Sequence, residues 1–236
     1  VFPEGEAFFI RSVQRFRDRI HEPELLRAIQ GFAGQEAQHS HQHDRHLKLL
    51  IAQGYTGLVR LNRMTDRSIR FGHRHWPVFS LASTAAVEHL TALLARRILG
   101  EGSRFTAVMD PRMAALWKWH AVEEAEHKAV AYDVLQCVSQ SSGLRFTALV
   151  VNSIAVFVEV LARTFYLLWK DGVLLQPATL ASGWRFLFGS DGLLRGHGRD
   201  YLRWFRRDFH PAQIDDRPLI EAWCEPPNWR DAGAGR

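Results

Sequence analysis

One segment constrains this chain more than any other: Trp117-Lys118-Trp119-His120-Ala121-Val122-Glu123-Glu124-Ala125-Glu126-His127-Lys128. Read as a helix, it sets His120, Glu124 and His127 at i, i+4 and i+7, which is one face repeated over two turns. Extended in both directions that face is apolar, with Met113 and Leu116/Trp117 before the three polar residues and Ala131 and Val134 after them. Two imidazoles and a carboxylate on a core-facing stripe carry a large desolvation cost unless something satisfies them together. A metal ion does so most simply.

The rest of the chain follows a helical period, and no alternating strand pattern stands out. A first helix is expected from Pro3 to about Ile20, with Glu6 on the same face as Phe9, Val13, Phe16 and Ile20. Pro23 opens a second that closes at Gly54, as a proline at the first helical position and a glycine past the last commonly do. Its apolar stripe carries Glu36, His39 and His43, while His41 and His46 fall off it. Residues 54–76 read as a connector with a short basic helix. A third helix, Pro77 to Leu99, places Glu88 among Leu81, Ala85, Ala92 and Ala95, and a fourth runs from Pro111 to about Ser139. Residues 144–169 are the most apolar stretch, long enough for a bilayer, but Arg145, Asn152, Glu159 and Arg163 interrupt it and favour a buried fifth helix. The remainder alternates aromatic and basic residues and ends in an irregular segment from Pro211, strapped on by Trp223 and Trp229.

A two-fold echo emerges from this order. Glu6 followed by Glu36-x-x-His39 is answered by Glu88 followed by Glu124-x-x-His127. One Glu from each of two helices plus a Glu-x-x-His from each of two others is the ligand set of di-metal carboxylate bundles. The expected fold is therefore all-α: a ferritin-like four-helix bundle over residues 1–140, with a fifth long helix and a helical cap over 141–236 packed on the same domain. Four carboxylates and two neutral imidazoles balance two divalent cations. Oxygen donors mixed with imidazole suit iron first, with manganese or zinc behind it. His120, one turn before Glu124, is a seventh ligand or its hydrogen-bonding neighbour. His43, one turn after His39, is its pseudo-symmetric counterpart. Glu123 and His43 are the candidate catalytic acid and base.

Composition narrows the function classes. The 236 residues carry a net charge of +5, but basic residues are interspersed with acidic ones to about residue 185 and no nucleic-acid motif accompanies them. Two cysteines without a CxxC motif give no disulfide framework, and no signal peptide is visible, so a cytoplasmic location is expected. The aromatic, cationic tail admits peripheral membrane contact as well as packing as a cap, and a homodimer is a fair expectation for such a bundle.

The runs Phe2-Pro3-Glu4-Gly5-Glu6-Ala7-Phe8-Phe9, Gly34-Gln35-Glu36-Ala37-Gln38-His39-Ser40 and Trp119 to Lys128, together with Phe209-His210-Pro211, resemble a bacterial family named predicted metal-dependent hydrolase. The resemblance covers nearly the whole chain and implies a ferritin-like fold. His120, Glu124 and His127 are also similar to part of the ligand set of di-iron arylamine N-oxygenases, which implies a seven-ligand site.

Three functions remain open. The leading expectation is a di-iron enzyme that activates dioxygen to oxidise a small, apolar organic substrate, with an external electron donor and with Phe9, Phe32 and Trp117 walling off water. The alternative is a metal-dependent hydrolase using a metal-bridging water or hydroxide. A non-catalytic role, in iron handling or as a metal-stapled scaffold, is the third.

Overall fold

A computed structural model describes residues 3–100, 104–190 and 192–224. Every regular element among them is a helix, as expected, and the helix order is compatible with a four-helix bundle. The α-helices are α1 (Pro3–Gln14), α2 (Pro23–Ala52), α3 (Gly57–His75), α4 (Pro77–Leu99), α5 (Arg104–Ala107), α6 (Pro111–His127), α7 (Val130–Val138), α8 (Ser142–Lys170), α9 (Pro177–Phe188), α10 (Gly198–Arg203) and α11 (Arg217–Cys224).

Local chemistry accounts for many of the boundaries. Pro23 and Pro111 occupy first-turn positions, where the missing N–H is no loss. The Asp110 carboxylate accepts from the Arg112 N–H at 2.9 Å, and the Ser141 hydroxyl accepts from the Leu144 N–H at 3.2 Å, so both side chains cap the helices they precede. Gly54 and Gly172 take positive φ just past the ends of α2 and α8.

The chain divides into two compact units. The first comprises residues 1–87 and 130–180. There α1 packs along α2 and against α3, α2 meets α7, and α3 meets α8. Val13, Ile29, Phe32, Leu81, Val134 and Leu149 are almost fully buried in it. Ser12 and Thr84 share a buried hydroxyl–hydroxyl hydrogen bond of 2.6 Å. The C-terminal end of α8 is pinned by Tyr55, which donates to Asp171 at 2.6 Å, and by Tyr166, whose hydroxyl accepts from the Gly57 N–H at 2.8 Å. A Cβ at Gly57 would stand 2.6 Å from the Tyr166 ring, so this close approach needs glycine.

The second unit comprises residues 88–129 and 181–236, with α6 packed against α5 and α11. His89 is buried and stacks on the wholly buried Trp204 at 4.8 Å, with Phe209 edge-on at 5.3 Å. Arg96 and Lys128 both bind the buried carboxylate of Asp216, and Lys128 also donates to the Ile214 carbonyl.

Several boundaries differ from the sequence expectation. The first helix ends at Gln14 and tightens into a 3-10 turn at Arg17–Arg19, with Phe16 N–H bonded to Val13 three residues back. The connector after Gly54 contains a helix of 19 residues, α3, rather than a short one. The fourth helix is interrupted after His127, where the Lys128 side chain turns to the Ile214–Asp216 segment, and resumes as α7. The fifth helix packs on one face only: Arg145, Ala148, Leu149 and Arg163 are buried, whereas Ile154, Val158 and Trp169 are exposed. The C-terminal segment forms α11 and is fixed chiefly by Ile214 and Asp216. Trp223 is half-buried, and Trp229 lies outside the described residues.

Candidate metal centre

In the first unit, α1 and α2 bring together four of the expected residues. Glu6, Glu36 and His39 each direct a donor atom to within 4.8 Å of the others, and all three are buried. Glu36 and His39 lie one turn apart on α2, with His39 Nδ1 3.5 Å from Glu36 Oε1. His43, one further turn along, places Nδ1 3.1 Å from Glu6 Oε1. Its contact is thus with the glutamate contributed by α1. Phe32 and Phe9 are buried in the same unit.

The second unit repeats the donor chemistry with α4 and α6. His127 Nε2 lies 3.2 Å from Glu88 Oε2 and 3.6 Å from Glu124 Oε2, so two carboxylates converge on one ring nitrogen. His120 Nε2 lies 3.0 Å from Glu124 Oε1, and its side chain is 13% exposed. Glu88 is wholly buried, and Glu124 and His127 nearly so. Trp117 is tilted against the His120 ring at 5.6 Å. Glu123 is half-buried and stands about 100° around α6 from Glu124.

Sequence reasoning missed one contributor here. Thr91, one turn beyond Glu88, donates its hydroxyl to Glu124 Oε2 at 2.6 Å. The signal was its i,i+3 spacing from Glu88 on the inward face, which a threonine among alanines and leucines does not advertise.

Electrostatics sets what these groups can do. Burial by itself pushes the Glu124 carboxyl upward, but hydrogen bonding and charge from His120 and His127 hold it well below the usual carboxylate range. Glu6 and Glu36 pose the complementary problem. Two buried carboxylates within 4.8 Å repel by a few kcal/mol even at an effective dielectric of about 20. A divalent cation reverses the sign of that term, and neutral imidazole beside each carboxylate supplies the nitrogen donor. The residues present therefore fit a divalent metal.

A family model described as "Predicted metal-dependent hydrolase" matches residues 1–215. Comparison with curated proteins and with solved structures gives no match.

Proposed function

Because the chain belongs to that family of predicted metal-dependent hydrolases, we propose that it is a hydrolase that holds two divalent ions on Glu6, Glu36, His39, Glu88, Glu124 and His127, with His120 as a seventh ligand, and cleaves a bond in a small organic substrate with water. The convergence of buried carboxylates and imidazoles in both halves of the repeated pattern carries this reading. Such ions, once bound, make a water acidic near neutral pH and polarise the substrate oxygen that is attacked.

The chain's own residues supply the remainder. The four glutamates match the charge of two dications, so the loaded centre is close to neutral and stable in a buried position. His43 holds its Nδ1 toward Glu6 Oε1, which orients the ring as it takes or returns a proton. Glu123, half-buried and one residue before Glu124, is the second proton carrier. Thr91 fixes the Glu124 carboxylate, so that oxygen does not swing as charge changes beside it. Phe9 and Phe32, buried in the same unit as Glu6 and Glu36, limit water there and favour an apolar substrate.

A second reading, oxidation of an apolar substrate with dioxygen and an external electron donor, is favoured by one observation. The donor set is rich in carboxylate, which stabilises oxidised metals, and His120 adds a third imidazole beside Glu124. Iron would be the metal for that chemistry. Manganese or zinc would suit hydrolysis better. Both readings share the ligands and differ in the reaction.

The test is to load the full chain with iron, manganese or zinc separately and to assay each form on a panel of esters, amides and phosphodiesters under air and under nitrogen. Oxygen-independent hydrolysis that His43→Gln slows at least tenfold while metal content is unchanged would agree with the proposal. Turnover that requires oxygen and a reductant would replace it with the second reading.

A further inference from the structure

The side of α1 that faces α3 is not the side that carries Glu6. Glu4, Phe8, Arg11 and Arg15 recur there at four- and three-residue intervals, whereas Glu6 lies on the opposite, buried side with Phe9 and Val13. Phe8 is buried and meets the His73 ring edge-on at 6.1 Å. Arg15, whose N–H bonds the Arg11 carbonyl, sends its Nη1 to the His73 carbonyl at 3.1 Å. Arg11 lies between Phe8 and Arg15 on this stripe and so borders the last turn of α3 as well. Two polar atoms are left over at the junction. Arg11 Nη2 and His73 Nδ1 are closed off from solvent, and neither has a hydrogen-bond partner among the described residues.

The charge at this junction is one-sided. Burial first, then Arg15, then Arg11 push the His73 imidazole below its ordinary value, with no carboxylate among the described residues opposing them. Glu4, the one acid on the stripe, stands about two turns before Arg11 and acts on Arg70, whose charge Asp66 and then Glu4 reinforce. The last-turn carbonyls of α3 offset part of the excess through Arg15, but a helix C-terminus carries only about half a negative charge. Two guanidiniums exceed that. The exposed side of α3 adds Arg60, Arg63, Arg67 and Arg74, so the field over this face favours anions.

We infer that Arg11, Arg15 and His73 form a binding site for a phosphate group at the junction of α1 with the end of α3. The two arginines, one helical turn apart, can close on a single oxyanion, and exposed Arg15 leaves the pair open to solvent on one side. Their two positive charges match a phosphate, which carries about two negative charges near neutral pH and has oxygens enough for both forks and for an imidazole N–H. A bound phosphate would supply the acceptors that Arg11 Nη2 and His73 Nδ1 lack. The site lies on the other side of α1 from Glu6, so the inference does not rest on the metal chemistry.

The experiment is calorimetric titration of inorganic phosphate into the full chain, as purified, in phosphate-free buffer at about 0.15 M salt, where charges more than about 8 Å apart are screened. Saturable binding below the millimolar range is expected. Arg11→Gln/Arg15→Gln should weaken it about a hundredfold, since each charge-assisted contact is worth about tenfold. Arg60→Gln/Arg63→Gln, at least ten residues and roughly 15 Å along α3 from His73, should leave it within about twofold. If the glutamine pair does not fold, Arg11→Lys/Arg15→Lys keeps the charge and loses the fork geometry, and about tenfold weakening is expected. Phosphate should also move the His73 ring proton resonance, identified by its loss in His73→Gln. Methylphosphonate that binds as tightly as phosphate would point to an organic phosphate ester as the ligand, and methylphosphonate that does not would point to the free ion; both outcomes support the site. No saturable binding, equal loss in the Arg60/Arg63 pair, acetate bound as tightly as phosphate, or binding that disappears in Glu88→Ala because phosphate sits on the metals would each overturn the inference.

Discussion

At the scale of single residues, the candidate centre is governed by burial. Glu36 and Glu88 are wholly enclosed, a position carboxylates rarely occupy without a compensating charge. Glu88→Ala or Glu124→Ala should therefore remove most of the bound metal, measured by elemental analysis after dialysis. Full occupancy in both variants would contradict the ligand assignment. Thr91→Val removes the hydroxyl that holds Glu124 Oε2 while keeping the side-chain shape. The expected cost is about tenfold in metal affinity by competition with a chelator, with no change in helicity. His120→Ala should leave two metals bound but alter the spectrum of one. The candidate donor residues were legible in the sequence because glutamate and histidine on apolar stripes are conspicuous. Thr91 was not, since a threonine on a helix has many uses and its partner lies 33 residues away. Nor was the pairing of His43 with Glu6, because pattern gives the face of a helix and not which side chains meet across it.

At the scale of elements, α2 and α4 match their sequence boundaries within about a residue, since Pro23, Gly54 and Pro77 mark them chemically. The break between α6 and α7 was invisible, because apolar periodicity continues through it. Its partner is distant: Lys128 is held by Asp216, and Arg96 reaches the same carboxylate. This clamp joins the turn after His127 to the segment that precedes α11, so it supports one end of the donor set. Asp216→Ala would leave Lys128 buried beside an arginine without their shared counter-charge. A loss of about 3 kcal/mol or more in urea unfolding is expected, whereas a loss below about 1 kcal/mol would show that the clamp is incidental. The length of α3 was underestimated for a different reason. Its single fully buried residue is Leu58, and the arginine row dominates its composition, so it reads as a polar connector.

Across the whole molecule, two kinds of surface and one kind of interior coexist: buried acid–imidazole clusters, an apolar α8 face and a basic α3 face. Sequence pattern established the all-helical class and the order of donor residues. It placed the apolar fifth helix wholly inside, because period and composition do not reveal how many sides of a helix the rest of the chain covers. A pH dependence follows from histidines outside the centre. His46, His73 and His197 are held below the ordinary imidazole value by burial first, with Arg15 and Arg11 adding to it at His73 and Arg97 and Arg96 at His197. The unfolded chain then binds more protons than the folded one below about pH 6.5, so stability holds above that value and declines as pH falls through the folded values. The melting temperature should drop between pH 7.5 and 5.5, and the triple variant His46→Gln/His73→Gln/His197→Gln should flatten that drop. An identical profile in the variant would assign the dependence elsewhere.

The central claim is that this chain holds two metal ions through a repeated Glu and Glu-x-x-His set. Its most direct test is an element-resolved metal count on full-length chain purified without chelators or nickel affinity, followed by reconstitution with iron, manganese and zinc. The account predicts close to two ions per chain, falling sharply in Glu88→Ala and Glu124→Ala. A chain that carries no metal as purified and takes up none on reconstitution would contradict it.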